Sequence, residues 1–190
     1  LYVAGFQIAG WGNTLDTLTG IERVRYTGTP SLSPREIIPT DRGILLRFDV
    51  ALDPAKATNP ESYSLATWRY KRAPSYGSAQ YKADGKTGND WLTASSAYVS
   101  LDGKSVFIGV PGLKAVEQLR LGWDLKSAAG AEMRQNAYTT PYELTKFDPV
   151  AEGFGPIEVD LTPRAAVAKK AEVVSAQEGQ RLATMFGCVA

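Results

Sequence analysis

Between Ile44 and Leu125 the chain is cut into short β-rich runs, punctuated by glycine, proline, aspartate and asparagine. Residues 44–50, 97–101, 105–110 and 119–125 have the length of strands rather than of helices. Residues 63–71 alternate, with Tyr63, Leu65, Thr67 and Arg69 on one face and Ser64, Ala66, Trp68 and Tyr70 on the other. That pattern fits a strand packed usefully on both sides. Asp102-Gly103 lies between two of the runs and is a strong hairpin signal, because both residues tolerate the positive φ of a tight turn. Strand-sized runs at this spacing, with few helical patterns, predict a mainly β fold arranged as a sandwich over about residues 41–135.

The flanking segments differ in character. Residues 1–8 and 21–26 are strand candidates joined by a polar loop containing Gly10-Trp11-Gly12-Asn13. Two strands bury too little to stand alone, so further strands are expected upstream. Gly28, Pro30, Pro34 and Pro39 interrupt both helix and sheet, and residues 28–40 read as a linker. Leu52-Asp53-Pro54 begins a turn with one helical turn after it, and Asn59-Pro60 closes it. Residues 136–161 read as a second, irregular linker, with a short extended piece at 157–161. Thr162-Pro163 suits a helix start. Ser175 and Glu178 then form a capping box, and Gly179, Leu182, Ala183 and Phe186 share one helical face that ends at Gly187-Cys188. Both ends of the chain read as interruptions of a longer protein.

Composition excludes several chemistries. The chain has no histidine and one cysteine, so it cannot hold a Ser-His-Asp or Cys-His unit, a histidine-ligated metal or an intrachain disulfide. Twenty-one basic residues face 20 acidic ones, which gives no electrostatic case for nucleic acid. No run approaches the ~20 apolar residues of a membrane-spanning helix. This segment is therefore not expected to be catalytic, and it carries no nucleotide-phosphate loop.

Residues 179–190, from Gly179 through Phe186-Gly187-Cys188-Val189-Ala190, resemble the opening of a class I cytochrome c domain. In that family a glycine and an aromatic lie on the packing face of the first helix, and the first cysteine of Cys-x-x-Cys-His follows. The resemblance implies haem c in the parent protein, with Cys188 as its first thioether attachment point. The second cysteine and the histidine would lie past Ala190. Residues 1–28 resemble the last blade of a β-propeller of the sorbosone-dehydrogenase-like type. Phe48-Asp49-Val50, Asn59-Pro60-Glu61-Ser62-Tyr63 and Leu101-Asp102-Gly103-Lys104 are similar to bacterial immunoglobulin-like domains of the S-layer type. Together these motifs resemble the C-terminal region of large secreted haem proteins of planctomycete-like bacteria. The implied order is a propeller end over 1–27, a linker over 28–40, a sandwich over 41–135, a linker over 136–161 and the start of a cytochrome domain over 162–190. The implied role is a structural and positioning segment between a dehydrogenase-like propeller and a haem domain. Its partners would be those adjacent domains, and its location periplasmic or secreted.

A second reading comes from a different class. Tyr76, Tyr81 and Trp91 lie in a polar excursion and could serve a domain interface or a carbohydrate- or surface-binding site. Trp68 and Tyr70 are expected in the sandwich core, since alternation already accounts for them. Residues 84–90 are rich in oxygen donors but lack the alternate carboxylates and closing glutamate of a calcium loop, so a solvated hairpin tip is expected. Met185 is expected to pack rather than to bind iron. Asp49, Asp53, Glu117 and Asp124 are scattered over strand ends and turns, with nothing in the sequence to pair them for acid–base work.

Overall fold

The computed structural model describes residues 1–6, 19–74 and 76–165. Its strands are β1 (Tyr2–Phe6), β2 (Thr19–Arg23), β3 (Glu36–Thr40), β4 (Gly43–Arg47), β5 (Tyr63–Trp68), β6 (Asp90–Leu92), β7 (Ser96–Val99), β8 (Ser105–Gly109), β9 (Gln118–Lys126) and β10 (Glu132–Thr139). A single helical turn, α1 (Pro54–Ala57), and a 3-10 turn, Pro60–Ser62, join β4 to β5. The fold is mainly β, as expected from the runs.

β1 and β2 form a two-stranded antiparallel ribbon. The other strands make two four-stranded antiparallel sheets, ordered β3-β4-β8-β7 and β10-β9-β5-β6. One core holds these two sheets face to face. Ile44, Leu46, Val106 and Ile108 of the first sheet pack with Tyr63, Leu65, Leu119, Leu121, Leu125 and Met133 of the second. Burying such side chains contributes roughly 1.5–3 kcal/mol each.

The connections follow local chemistry. Asp53 caps α1 by accepting from the Ala55 N–H at 2.9 Å, with Pro54 in the first turn. The Tyr63 hydroxyl donates to the Ala57 carbonyl at 2.6 Å, which pins α1 to the start of β5. Burial raises the phenol's pKa far above its ordinary value. At the β7–β8 hairpin only Gly103 takes positive φ, at +72°. Asp102 contributes its carboxylate instead, accepting from the Ser100 hydroxyl at 2.6 Å and the Lys104 N–H at 3.0 Å. These bonds hold its pKa below the ordinary carboxylate value.

The structure differs from the sequence expectation at three strands. β3 lies inside the proline-rich stretch expected to break sheet. Pro39 is tolerated because β3 is an edge strand of its sheet. β6 has only three residues, and β10 is an edge strand whose inward positions include Gln135, so neither shows a clear period of two.

Residues 141–161 contain no strand or helix, yet from Phe147 onward they are bound to the outer face of the β3-β4-β8-β7 sheet. Phe147 stacks on Phe107 at 3.6 Å between centroids and 12° between planes, and Phe154 meets both rings edge-on. Leu45, Phe107, Phe147, Phe154 and Val159 make a second buried cluster. Backbone polar groups are satisfied along this strap. Asp41 donates from its N–H to the Thr145 carbonyl at 2.9 Å, and the Phe147 N–H donates to the Asp41 carboxylate at 3.0 Å. The Ser95 and Ser96 hydroxyls both donate to the Asp160 carbonyl, at 2.6 and 2.7 Å. Arg47 pairs with Glu152. Gly109 makes room for this seat: a Cβ there would fall 2.3 Å from Ser96 Oγ and 3.2 Å from the Asp160 carbonyl oxygen.

Candidate functional site

The outer face of the β10-β9-β5-β6 sheet carries the most distinctive side chains. Alternation sends Ser64, Ala66 and Trp68 of β5 outward while Tyr63 and Leu65 enter the core. Register then lines up one row across four strands: Trp91 opposite Ala66, Ala66 opposite Arg120, and Arg120 opposite Tyr138. Trp91 and Tyr138 are 66% and 62% exposed. The Arg120 guanidinium carbon lies 6.0 Å from the Trp91 ring centroid, within cation–π reach. Its Nη2 donates to Asn136 Oδ1 at 3.2 Å. Trp68 meets Tyr138 edge-on, at 6.2 Å and 72°, and is itself buried. Gly122 keeps the neighbouring row low, since a Cβ there would lie 2.5 Å from both Ser64 Oγ and Asn136 Oδ1.

This arrangement corrects the expectation for Trp68 and Tyr70. Trp68 is buried against the outer face beside Tyr138 rather than in the shared core, and Tyr70 is exposed. Directly paired residues leave a sheet on the same side, and alternate residues on opposite sides. Tyr81 bridges Arg69, whereas Trp91 pairs with Ala66, three positions away along the strand. Tyr81 and Trp91 therefore project from opposite faces. The Lys71 ammonium sits 4.2 Å from the Tyr81 centroid. Tyr76 is fully exposed on the excursion. The three aromatics do not form one platform. Arg120, Asn136 and Tyr138 escape a linear reading because only register places them beside Trp91.

Residues 84–90 form a hairpin tip, in which Asp84 accepts from the Lys86 N–H at 2.9 Å and Asp90 from the Ala83 N–H at 2.7 Å. The scattered carboxylates serve surface roles: Asp49 faces Arg35 at 3.8 Å, Glu117 faces Arg69 at 3.5 Å and Asp124 faces Lys56 at 3.3 Å. Among the described residues no group of three or more histidines, cysteines or carboxylates could hold a metal ion. Within the sandwich Met133 is buried in the core and the Tyr63 hydroxyl donates to the Ala57 carbonyl. Cys188 and Met185, the capping box at Ser175 and the helical face over 179–186 lie outside the described residues. Among the described residues no helix is long and apolar enough to cross a membrane.

A cavity of about 470 Å³ opens beside Trp91. It forms where β6 stops at Leu92, opposite Leu65, so that Tyr63 and Ser64 have no β6 partner. Glu61 and Arg164, 3.8 Å apart, lie on its wall.

No family model matches the chain, and no curated protein or solved structure is significantly similar to it.

Proposed function

We propose that this chain is a non-catalytic structural and positioning segment of a multidomain extracytoplasmic redox protein. It is an immunoglobulin-like sandwich that links the end of a dehydrogenase-like β-propeller to a haem c electron-transfer domain. The sandwich reading rests on strand order. Lettering β3 to β10 as A, B, C, C′, D, E, F and G gives ABED in one sheet and C′CFG in the other, the order of immunoglobulin sandwiches.

The observation that carries the positioning role is the strap. A free linker lets the distance between two domains vary, whereas this outgoing chain is held from Thr145 to Asp160 by ring stacking and backbone bonds. A propeller neighbour is supported by the β1–β2 ribbon. It exposes Tyr2, Val3 and Ile21, and two strands alone are marginal. Haem belongs in this reading to Cys188, on its resemblance to the cytochrome opening, and to no described residue.

The test uses the full protein as the cell makes it. Cys188→Ala removes the thioether at that position and leaves the haem held by one covalent bond at most, measured by mass and by the shift in haem absorbance. Phe147→Ala keeps the haem but slows electron delivery to it. An unchanged rate in a variant whose strap is shown to be released would refute positioning.

A further inference from the structure

We propose that the outer face of the β10-β9-β5-β6 sheet binds a linear polysaccharide laid across the strands, with sugar rings stacked on Trp91 and Tyr138. This activity is separate from the positioning role. Single exposed aromatics are ordinary on protein surfaces. Here two sit on one cross-strand row, separated by a small residue and a guanidinium. Three inter-strand spacings of ~4.8 Å put them about 14 Å apart. That gap is wider than one sugar ring, so an occupant touching both is a chain of rings.

The chemistry of the row suits a sugar. One side of a pyranose presents C–H groups, whose slight positive charge meets the negative face of an aromatic ring. Hydroxyls need donors and acceptors at the ring edge; Arg120 supplies donors between the two aromatics, and Asn136, beside it in the neighbouring row, supplies a side-chain amide. Ala66 and Gly122 keep the floor flat. Trp68, on the same face, packs edge-on against Tyr138 and braces it from the side.

A protein partner fits less well. Protein interfaces are also enriched in tyrosine, tryptophan and arginine, but their buried cores are filled out by further apolar side chains. By alternation this face projects no leucine, isoleucine, valine or methionine, since those of β5, β6, β9 and β10 turn to the core.

The probes are the β-1,4-linked hexaoses of glucose, xylose and mannose, titrated against the full chain. Binding is read by tryptophan fluorescence and by affinity electrophoresis in the matching polysaccharide. The expected result is binding to at least one hexaose. Trp91→Ala and Tyr138→Ala each weaken it about tenfold or more, equal to ~1.4 kcal/mol. Trp91→Phe retains most of it, and Tyr76→Ala leaves it unchanged. Circular dichroism of each variant confirms the fold. The proposal is overturned if no hexaose binds, or if binding survives both alanine variants. It is equally overturned if the face instead drives self-association that Trp91→Ala abolishes.

Discussion

Phe147→Ala tests whether the strap belongs to the folded unit. The ring is 4% exposed and stacks on Phe107, which is fully buried on β8. Truncating a buried phenylalanine costs about 3–5 kcal/mol, a range that includes the cavity left behind. Phe147 sits in a surface strap, which relaxes more readily than a strand, so the lower end of the range applies. We expect a loss of roughly 3 kcal/mol, a large part of the ~5–15 kcal/mol typical of a whole domain. With a urea slope of about 2 kcal/mol per molar, the midpoint falls by roughly 1.5 M. The assay is equilibrium urea unfolding followed by fluorescence, with hydrogen exchange at the amides of Leu101 and Phe147. Both amides are bonded across the strap, to the Gly153 carbonyl at 2.9 Å and the Asp41 carboxylate at 3.0 Å. Tyr142→Ala serves as control, because Tyr142 is exposed and its loss should cost within ~0.5 kcal/mol. A Phe147→Ala loss no larger than the control's would mean that the strap lies loosely on the sheet.

Two further perturbations probe the same fold. Gly109→Ala forces Ser96 Oγ to move and crowds the Asp160 carbonyl, for an expected loss of about 1–3 kcal/mol in thermal or urea unfolding. A neutral result would show that the Asp160 seat is not fixed. Asp102→Asn addresses pH. The Asp102 carboxyl is held below its ordinary value of 3.8 by the Ser100 hydroxyl and then the Lys104 N–H. A depressed pKa stabilises the fold fully above the unfolded value, and that contribution fades as pH falls through the folded one. The stability gap between wild type and Asp102→Asn should therefore be constant above about pH 5 and shrink below pH 4. A gap independent of pH in urea titrations would remove the carboxylate from the hairpin's stability.

Much of the sandwich is legible in the sequence, and the reasons are local. β5, β8 and β9 place alternating or continuous apolar residues in a core buried from both sides, and β7 is marked by the Asp102-Gly103 turn beside it. β3 is hidden by Pro39, which a central strand could not accept but an edge strand does. β10 is hidden because one face meets solvent and its inward side carries Gln135 between Met133 and Ala137. The strap has no period at all: Phe147, Phe154 and Val159 are spaced by turns, and only the folded sheet reveals their common surface. Trp91 stands out in the sequence as an aromatic in a polar stretch. Its neighbours Arg120 and Tyr138 lie 29 and 47 positions further on, and strand register alone brings them to its row.

The redox assignment is tested most directly by mass spectrometry of the peptide that carries Cys188, taken from the protein as isolated from its native cells and their medium. The expected spectrum shows that peptide bearing covalent haem through a thioether at Cys188. A peptide of unmodified mass, with Cys188 free to react with a thiol reagent, would contradict the haem c reading.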